Sequence, residues 1–354
     1  MRFFDRLFHH RFFVRLFHWE YWPFIAVYAC ILPWWLWLAI RARSFYFFSA
    51  SNPAIENGGF LNESKKDIHQ ILPPGSFPLS LHFPKSTDPA QVFAMMNQLG
   101  LSFPVMGKPD VGGRGRGIRL IRDLSSLTDY VSKTTMDFHV QALVPYPEEI
   151  GIFYHRIPGE RKGNITGIVR KDFLSVTGNG RDSVETLLQR DQRGLVYLQS
   201  LKQLADAALH DIPQDGERRI VSPFGNHARG ALFLDDTHRA DERLLAVIDR
   251  LVDQIPGFHY GRFDLRYQNW ESLLEGRDFA LIELNGAWAE PTHMYDPRHS
   301  LFFAWKEIIR HWNVLHRISR INHARGVPYL SWKEGRAMFR KDKELSAALN
   351  AMPQ

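Results

Sequence analysis

Two stretches of this chain carry residues that can act on a charged ligand. In FPVMGKPDVGGRGRGIRLI (103–121) an apolar run delivers Lys108, Pro109 ends the run, and Gly112, Gly113, Gly115 and Gly117 follow. Glycines let a backbone close over a ligand and aim its N–H groups at phosphate oxygens, which side chains would hold off. Arg114 and Arg116 add charge. In GRFDL and ALIELN, between 261 and 285, Asp264, Glu283 and Asn285 offer the hard oxygens that suit Mg²⁺, with Mn²⁺ as a substitute. Period two puts Glu283 and Asn285 on one face of a strand; if the two strands pair, Arg262 and Asp264 share the facing side. The joint expectation is a phosphate-holding loop and a metal site that bridges it. The loop is not a Walker A, since no G-K-[ST] opens a helix, and the strand expected after it argues against a dinucleotide fingerprint.

Regular elements must hold these residues in place. Strands are expected at 103–108, 117–122, 138–144, 149–156, 164–170, 218–222, 230–234, 258–267 and 278–285. Helices are expected at 90–100, 124–134, 182–191, 195–210, 240–254 and 298–317. That is an α+β pattern with a body from about 90 to 325 and a polar, solvated helical tail at 326–354. Residues 49–90 are rich in Asn, Gly, Pro and Ser and read as a linker or substrate-facing loop, with one short helix at 63–72. Within them Glu56, Asn57, Gly58, Gly59, Asn62, Glu63, Ser64 and Lys65 form a dense polar stretch suited to recognising a substrate.

On these motifs the chain resembles the ATP-grasp superfamily, and within it the carboxylate–amine ligases such as the D-alanine–D-alanine ligases and cyanophycin synthetases, over roughly 95–297. The resemblance implies two α+β subdomains gripping ATP, here 91–145 and 146–325. Lys108 and its glycines are similar to the family's lysine and phosphate-covering loop. FHVQALVPYPEEIGIFY is similar to the hinge that meets adenine, through Gln141, Ala142, Leu143 and Val144, with Glu149 or Glu148 on the ribose. GIVRKDFLSVTGNGRDSVETLL carries a V-T-G-x-G pattern and makes Arg170 and Lys171 phosphate-facing candidates. GNHARGALF places Asn226 and Arg229 in an Asn-led loop. GR-x-D and E-x-N make Arg262 the cation on the transition state and Asp264, Glu283 and Asn285 the Mg²⁺ ligands. The implied activity is an ATP-dependent ligase, with Arg262, Lys108 and Arg170 catalytic, that activates a carboxylate as an acyl phosphate and joins it to an amine. A kinase acting on a small-molecule hydroxyl and a non-catalytic nucleotide-binding membrane protein are the alternatives. The chain departs from the family after E-x-N, where Gly286-Ala287-Trp288-Ala289-Glu290-Pro291-Thr292-His293 replaces the usual Pro-Gly. Glu290 and His293 there are placed to orient an acceptor. The family's first substrate domain is absent or reduced to 49–90.

The formal charge of +6 over 354 residues is uneven: Arg2, Arg6, Arg11, Arg15, Arg41 and Arg43 against Asp5 and Glu20 put +4 in the first 50. Elsewhere bases are balanced by acids and no aromatic–basic module occurs, which argues against nucleic acid. The single cysteine, Cys30, excludes an internal disulfide and a cysteine metal site, and its apolar surroundings suggest an inert core or lipid-facing thiol. Residues 1–18 set apolar side chains among Arg and His (His9, His10 and His18) as an interfacial helix. Residues 21–40 carry no charge and are just long enough for a hydrocarbon layer of roughly 30 Å. Pro33 interrupts them, so a single span and a re-entrant hairpin bent at Pro33 are both expected forms; a signal peptide and a helix pair buried in the protein are the weaker ones. Residues 1–48 thus form an arm, with 1–45 anchoring the body at the cytoplasmic face of the cell's inner membrane. The expected partners are ATP, that membrane, and small-molecule or lipid-like carboxylate and amine substrates; a homo-oligomer is compatible with this scheme.

Overall fold

Most helices begin where the sequence supplies a side-chain oxygen for their first free N–H groups. Ser64, Asp88, Asp191, Asp241, Asn269 and Ser300 each accept such a bond, and Asp123 and Ser331 complete capping boxes with Ser126 and Glu334. The computed structural model describes residues 11–113, 115–202 and 208–352. Among the described residues of the arm are three short helices, α1 (Arg11–Phe17), α2 (Phe24–Tyr28) and α3 (Leu32–Ala42), followed by α4 (Lys65–Ile71).

A first antiparallel sheet, in the order β1-β4-β2-β3, comprises β1 (Ser80–Phe83), β2 (Val105–Pro109), β3 (Arg119–Ile121) and β4 (Phe138–Ala142). Between them lie α5 (Pro89–Gln98) and α6 (Leu124–Lys133), which share a core with the sheet around Val92, Met96, Val105, Tyr130 and Phe138. A second sheet, β11-β10-β5-β6-β9, comprises β5 (Glu148–His155), β6 (Asn164–Asp172), β9 (Leu232–Asp235), β10 (Tyr260–Tyr267) and β11 (Phe279–Asn285). A two-stranded ribbon, β7 (Leu174–Thr177) with β8 (Arg218–Ser222), stands beside α7 (Val184–Arg190) and α8 (Gln192–Leu201). α9 (Glu242–Val252) lays Leu244, Ile248 and Leu251 against Ile150, Ile152 and Phe263 of the second sheet, with α10 (Trp270–Leu274) alongside. The long α11 (Leu301–Ala324) and the C-terminal α12 (Trp332–Asn350) complete the chain. The α+β class and almost every expected strand agree with the sequence reading; β1, β7 and α10 were missing from it.

Four expectations need correction. Residues 21–40 do not form one span: α2 and α3 are separated by a turn, Pro33 sits in the first turn of α3, and no helix among the described residues is long and apolar enough to cross a membrane. Instead Trp35 and Leu38 pack with Phe47, Phe48, Phe60 and Leu315 in a buried cluster. Residues 49–90 are not a linker. Asn52 is fully buried, donating to the carbonyls of Gly58 and Tyr260 at 2.9 Å each and accepting from the N–H groups of His259 and Tyr260 at 2.8 and 2.9 Å. The tail is not merely solvated, since Met338, Leu349 and Met352 are buried. Cys30 is exposed, which removes the core form of its expected setting and leaves the lipid-facing one untested. Of the expected interfacial helix only 11–17 is described; His9, His10 and the residues before them lie outside the described residues, and His18 follows α1.

Candidate active site

β10 and β11 pair so that Arg262 stands opposite Asn285 and Asp264 opposite Glu283. On its other edge β10 meets β5, with Asp264 opposite Gly151 and Arg266 opposite Glu149. Alternation then turns all these side chains to one face of the sheet. Gly151 is required there, because a Cβ would come within 2.7 Å of Asp264 Oδ1. The face forms the floor of a cavity of about 930 Å³, at the upper end of the size range of ligand clefts. The first sheet overhangs it with Met106, Lys108 and Gln141.

The floor is a line of alternating charge. Arg262 donates to Asp264 through Nε at 2.8 Å and through its terminal nitrogen at 2.9 Å, a two-pronged pairing. Lys171 Nζ lies 3.0 Å from Glu149 and 3.3 Å from Asp264, and Arg266 reaches Glu149 at 3.3 Å. Burial alone would raise the Asp264 carboxyl, but Arg262 and Lys171 outweigh it and hold it below the usual carboxylate range. Burial likewise opposes the charge on Lys171, yet Asp264 and Glu149 lift its ammonium above the ordinary lysine value.

The overhang is cationic too. Lys108 donates to Gln141 Oε1 at 2.5 Å, and burial, with Lys65 adding, brings its ammonium down to about 8. Lys65, at the start of α4, lines the same cavity, as does Glu63, whose carboxyl burial pushes up to about 8. The sequence marked 56–65 as a polar recognition stretch, but nothing in it said that Lys65 would stand beside Lys108.

The glycine loop arches over this space from above. Gly112, Gly113 and Gly115 line the cavity, while Gly117 (φ +68°) faces outward and a Cβ there would press on Met352. Arg116 lines the cavity and donates to Asn350, and Leu349 fills the space that a Cβ on Gly112 would need. Arg114 lies outside the described residues. Asn226 caps a short turn beside the loop, and Arg229 donates to the Ile118 carbonyl at 3.1 Å, so these two predicted residues brace the loop.

Gln141, Ala142, Leu143 and Val144 all line the cavity, but several of their groups are already engaged, the Gln141 side-chain oxygen with Lys108 among them. The Ala142 N–H donates to Leu79 at 2.8 Å, and the Val144 carbonyl accepts from Arg266 at 3.3 Å. Glu149 is buried within the charge line, whereas Glu148 is exposed and does not line the cavity. Arg170 is a correction: as the neighbour of inward-facing Lys171 it points to the other face, where Asp236 accepts from it at 3.2 Å. His293 is another, buried behind the site against Glu307 at 3.1 Å. Glu290, by contrast, lines the cavity, and its backbone carbonyl accepts from Arg262 at 3.1 Å.

Sequence reasoning also missed the arm's part in this site. Tyr21, Trp22, Phe24 and Val27 line the cavity, and Tyr28 donates to Glu290 Oε1 at 2.5 Å. Glu20 pairs with His227 at 3.0 Å, Trp19 donates to the His299 carbonyl at 2.9 Å and Trp305 to that of Val27 at 2.7 Å. The tryptophan-rich, charge-free composition that suggested lipid is here used in part to close a wall.

The donor set fits a divalent cation. Asp264, Glu283 and Asn285 are hard oxygen donors on one face, although Asp264 would have to release part of its pairing with Arg262 and Lys171 to bind an ion; the Asn285 side-chain nitrogen is buried without a partner. Oxygen and nitrogen of an amide exchange places on a flip, so that position can offer an oxygen as readily.

No protein-family model and no curated protein matches this sequence. Among the solved structures that resemble this one are two ligases and a synthetase. D-alanine–D-alanine ligase from Bacillus anthracis matches with 14% identity and a TM-score of 0.41, over 74% of this chain and 69% of that one. The D-Ala:D-Ser ligase from Enterococcus faecalis matches with 12% identity and a TM-score of 0.41, over 72% and 61%. A bifunctional glutathione synthetase from Pasteurella multocida matches with 14% identity and a TM-score of 0.36, over 69% and 35%. The chain thus spans about a third of the synthetase and three fifths of the D-Ala:D-Ser ligase. At these TM-scores the chemistry must be read from the residues themselves.

Proposed function

We propose that this chain is an ATP-dependent carboxylate–amine ligase. The observation that carries the reading is the cross-strand square of Arg262, Asp264, Glu283 and Asn285 under Lys108 and a glycine loop. A substrate carboxylate oxygen attacks the γ-phosphorus of ATP, the bond to the β-phosphate oxygen breaks, and ADP leaves. An amine then attacks the acyl phosphate carbon, and the tetrahedral adduct expels inorganic phosphate and a proton. Lys108, Lys65 and Lys171 supply positive charge to the transferring group, and the loop N–H groups cover it. Mg²⁺ on Asp264, Glu283 and Asn285 would neutralise phosphate oxygens. Arg262, fixed by Asp264 and the Glu290 carbonyl, faces the oxyanion that develops when the amine adds.

The test is ADP release from ATP and Mg²⁺ in the presence of a fractionated metabolite extract, with products weighed by mass spectrometry. An amide product, abolished in Glu283→Ala, is expected. A phosphorylated alcohol would make the enzyme a kinase, and unchanged turnover in folded Glu283→Ala would remove the metal assignment.

The arm motivates a location. Ile25, Leu32, Leu36, Trp37 and Ile40 are exposed on α2 and α3, and Arg41 and Arg43 follow them. Apolar side chains next to arginines suit the surface of an anionic leaflet, so we place the protein peripherally on the cytoplasmic face of the cell membrane. Sedimentation with anionic vesicles tests this; Trp37→Asp should weaken it several-fold, and full binding by that variant counts against it.

A further inference from the structure

The charge line and glycine loop occupy one end of the cavity. The other end has a different chemistry that the nucleotide does not explain. Its walls are aromatic: Trp288 lies with its ring centroid 5.6 Å from Phe24 of the arm and 4.4 Å from Phe60. Glu290 stands among them, its carboxylate oriented by the hydroxyls of Tyr28 at 2.5 Å and Tyr295 at 3.2 Å. Two residues of the lining, Asn62 and Thr292, both more than nine-tenths buried, also hold side-chain oxygens that are shut off from solvent and without a partner, Oδ1 and Oγ1. Buried polar atoms left unpaired are rare and call for a missing partner.

The chemistry of this end is selective. A carboxylate and an amide oxygen only accept hydrogen bonds, and a hydroxyl can accept as well as donate, so a donating ligand satisfies all three. Aromatic faces beside a carboxylate favour a cation on an apolar body, through ring quadrupoles and burial. Neither feature suits a second carboxylate or a phosphate. Arg262 connects the two ends, since one guanidinium touches both Asp264 and the Glu290 backbone.

We infer that Glu290, Asn62 and Thr292, enclosed by Phe24, Phe60 and Trp288, form the acceptor subsite for an amine carried on an aromatic or alkyl group. The inference rests on the ligase reading, because it supplies that reaction's second substrate class. Here the arm does what a separate substrate domain would otherwise do.

Equilibrium dialysis on the full chain with Mg²⁺ and a non-hydrolysable ATP analogue tests it. The probes are 2-phenylethylamine and n-octylamine, each against its matched alcohol. Each amine should bind at least tenfold more tightly than its alcohol. Glu290→Gln should erase that preference and Trp288→Ala should weaken amine binding about fivefold, with nucleotide affinity changed less than twofold in both. Equal binding of amine and alcohol in both pairs, no amine binding by protein that binds nucleotide, or undiminished preference in Glu290→Gln would overturn the proposal. If Glu290→Gln does not fold, the comparison on the unmodified protein and Trp288→Ala, whose ring is 44% exposed, still decide. Loss of the ligase reading shows separately, as failure to bind nucleotide or to release ADP.

Discussion

The two ends of the cavity are organised by opposite means. At the end proposed for the nucleotide five charged side chains, Arg262, Asp264, Lys171, Glu149 and Arg266, hold one another in a largely buried chain. At the end proposed for the acceptor aromatic rings set the walls and the Glu290 carboxylate is held by two neutral hydroxyls. A site built on mutual charge is sensitive to the loss of any one member, because the partner is left buried and uncompensated. A site built on rings tolerates single losses better, since each contributes area rather than balance.

Lys171→Met should therefore have the largest effect. It takes from Glu149 and Asp264 the cation they share and leaves each with one arginine, Arg266 and Arg262, so a loss of about 3 kcal/mol in unfolding free energy is expected from the urea midpoint. A loss under about 1 kcal/mol would mean that the charges do not hold one another. Arg262→Lys removes the planar fork at the junction of the two ends. Turnover should fall by roughly 100-fold, with nucleotide affinity nearly unchanged.

The pH response is the third test. Lys108 is charged below about 8 and neutral above it, so affinity for a nucleotide analogue should fall about tenfold per unit as pH rises beyond 8, and Lys108→Arg should flatten the slope. In the empty protein the sign is reversed. An unfolded lysine keeps its proton up to about 10.5, so the unfolded state binds more protons between pH 8 and 10.5 and stability rises across that window. The smallest effect belongs to Tyr28→Phe, which removes one of two hydroxyls on Glu290. A loss of about 1 kcal/mol in amine affinity, with no change in nucleotide affinity, is expected by dialysis.

The nucleotide end was the more legible in the sequence. Arg262, Asp264, Glu283 and Asn285 sit on strands at period two, so their shared face follows once those strands are recognised, and pairing brings the two faces together. The same rule separates Arg170 from Lys171, which face opposite sides of β6, a consequence that family likeness alone obscured. The acceptor end was not legible. Tyr28 and Glu290 are 262 positions apart, and no local pattern announces that they meet. The charge-free run at 21–40 reads as a membrane span by composition, because hydropathy does not distinguish lipid from an aromatic protein surface. Residues 49–90 misled for the reverse reason: their Asn and Ser side chains look solvated, but several are spent on backbone groups, as at Asn52.

That asparagine has a consequence for anyone who would rebuild this protein. Three of its four bonds tie the segment after the arm to the start of the strand that carries Arg262, to partners 207 and 208 positions away. A transplanted arm would need its receiving strand, and a chimera joined near residue 90 would leave the amides of His259 and Tyr260 without their acceptor. Asn52→Asp keeps the acceptor oxygens and loses both donors, and Asn52→Leu loses everything. In modular terms the natural seam of this protein does not lie where its composition changes.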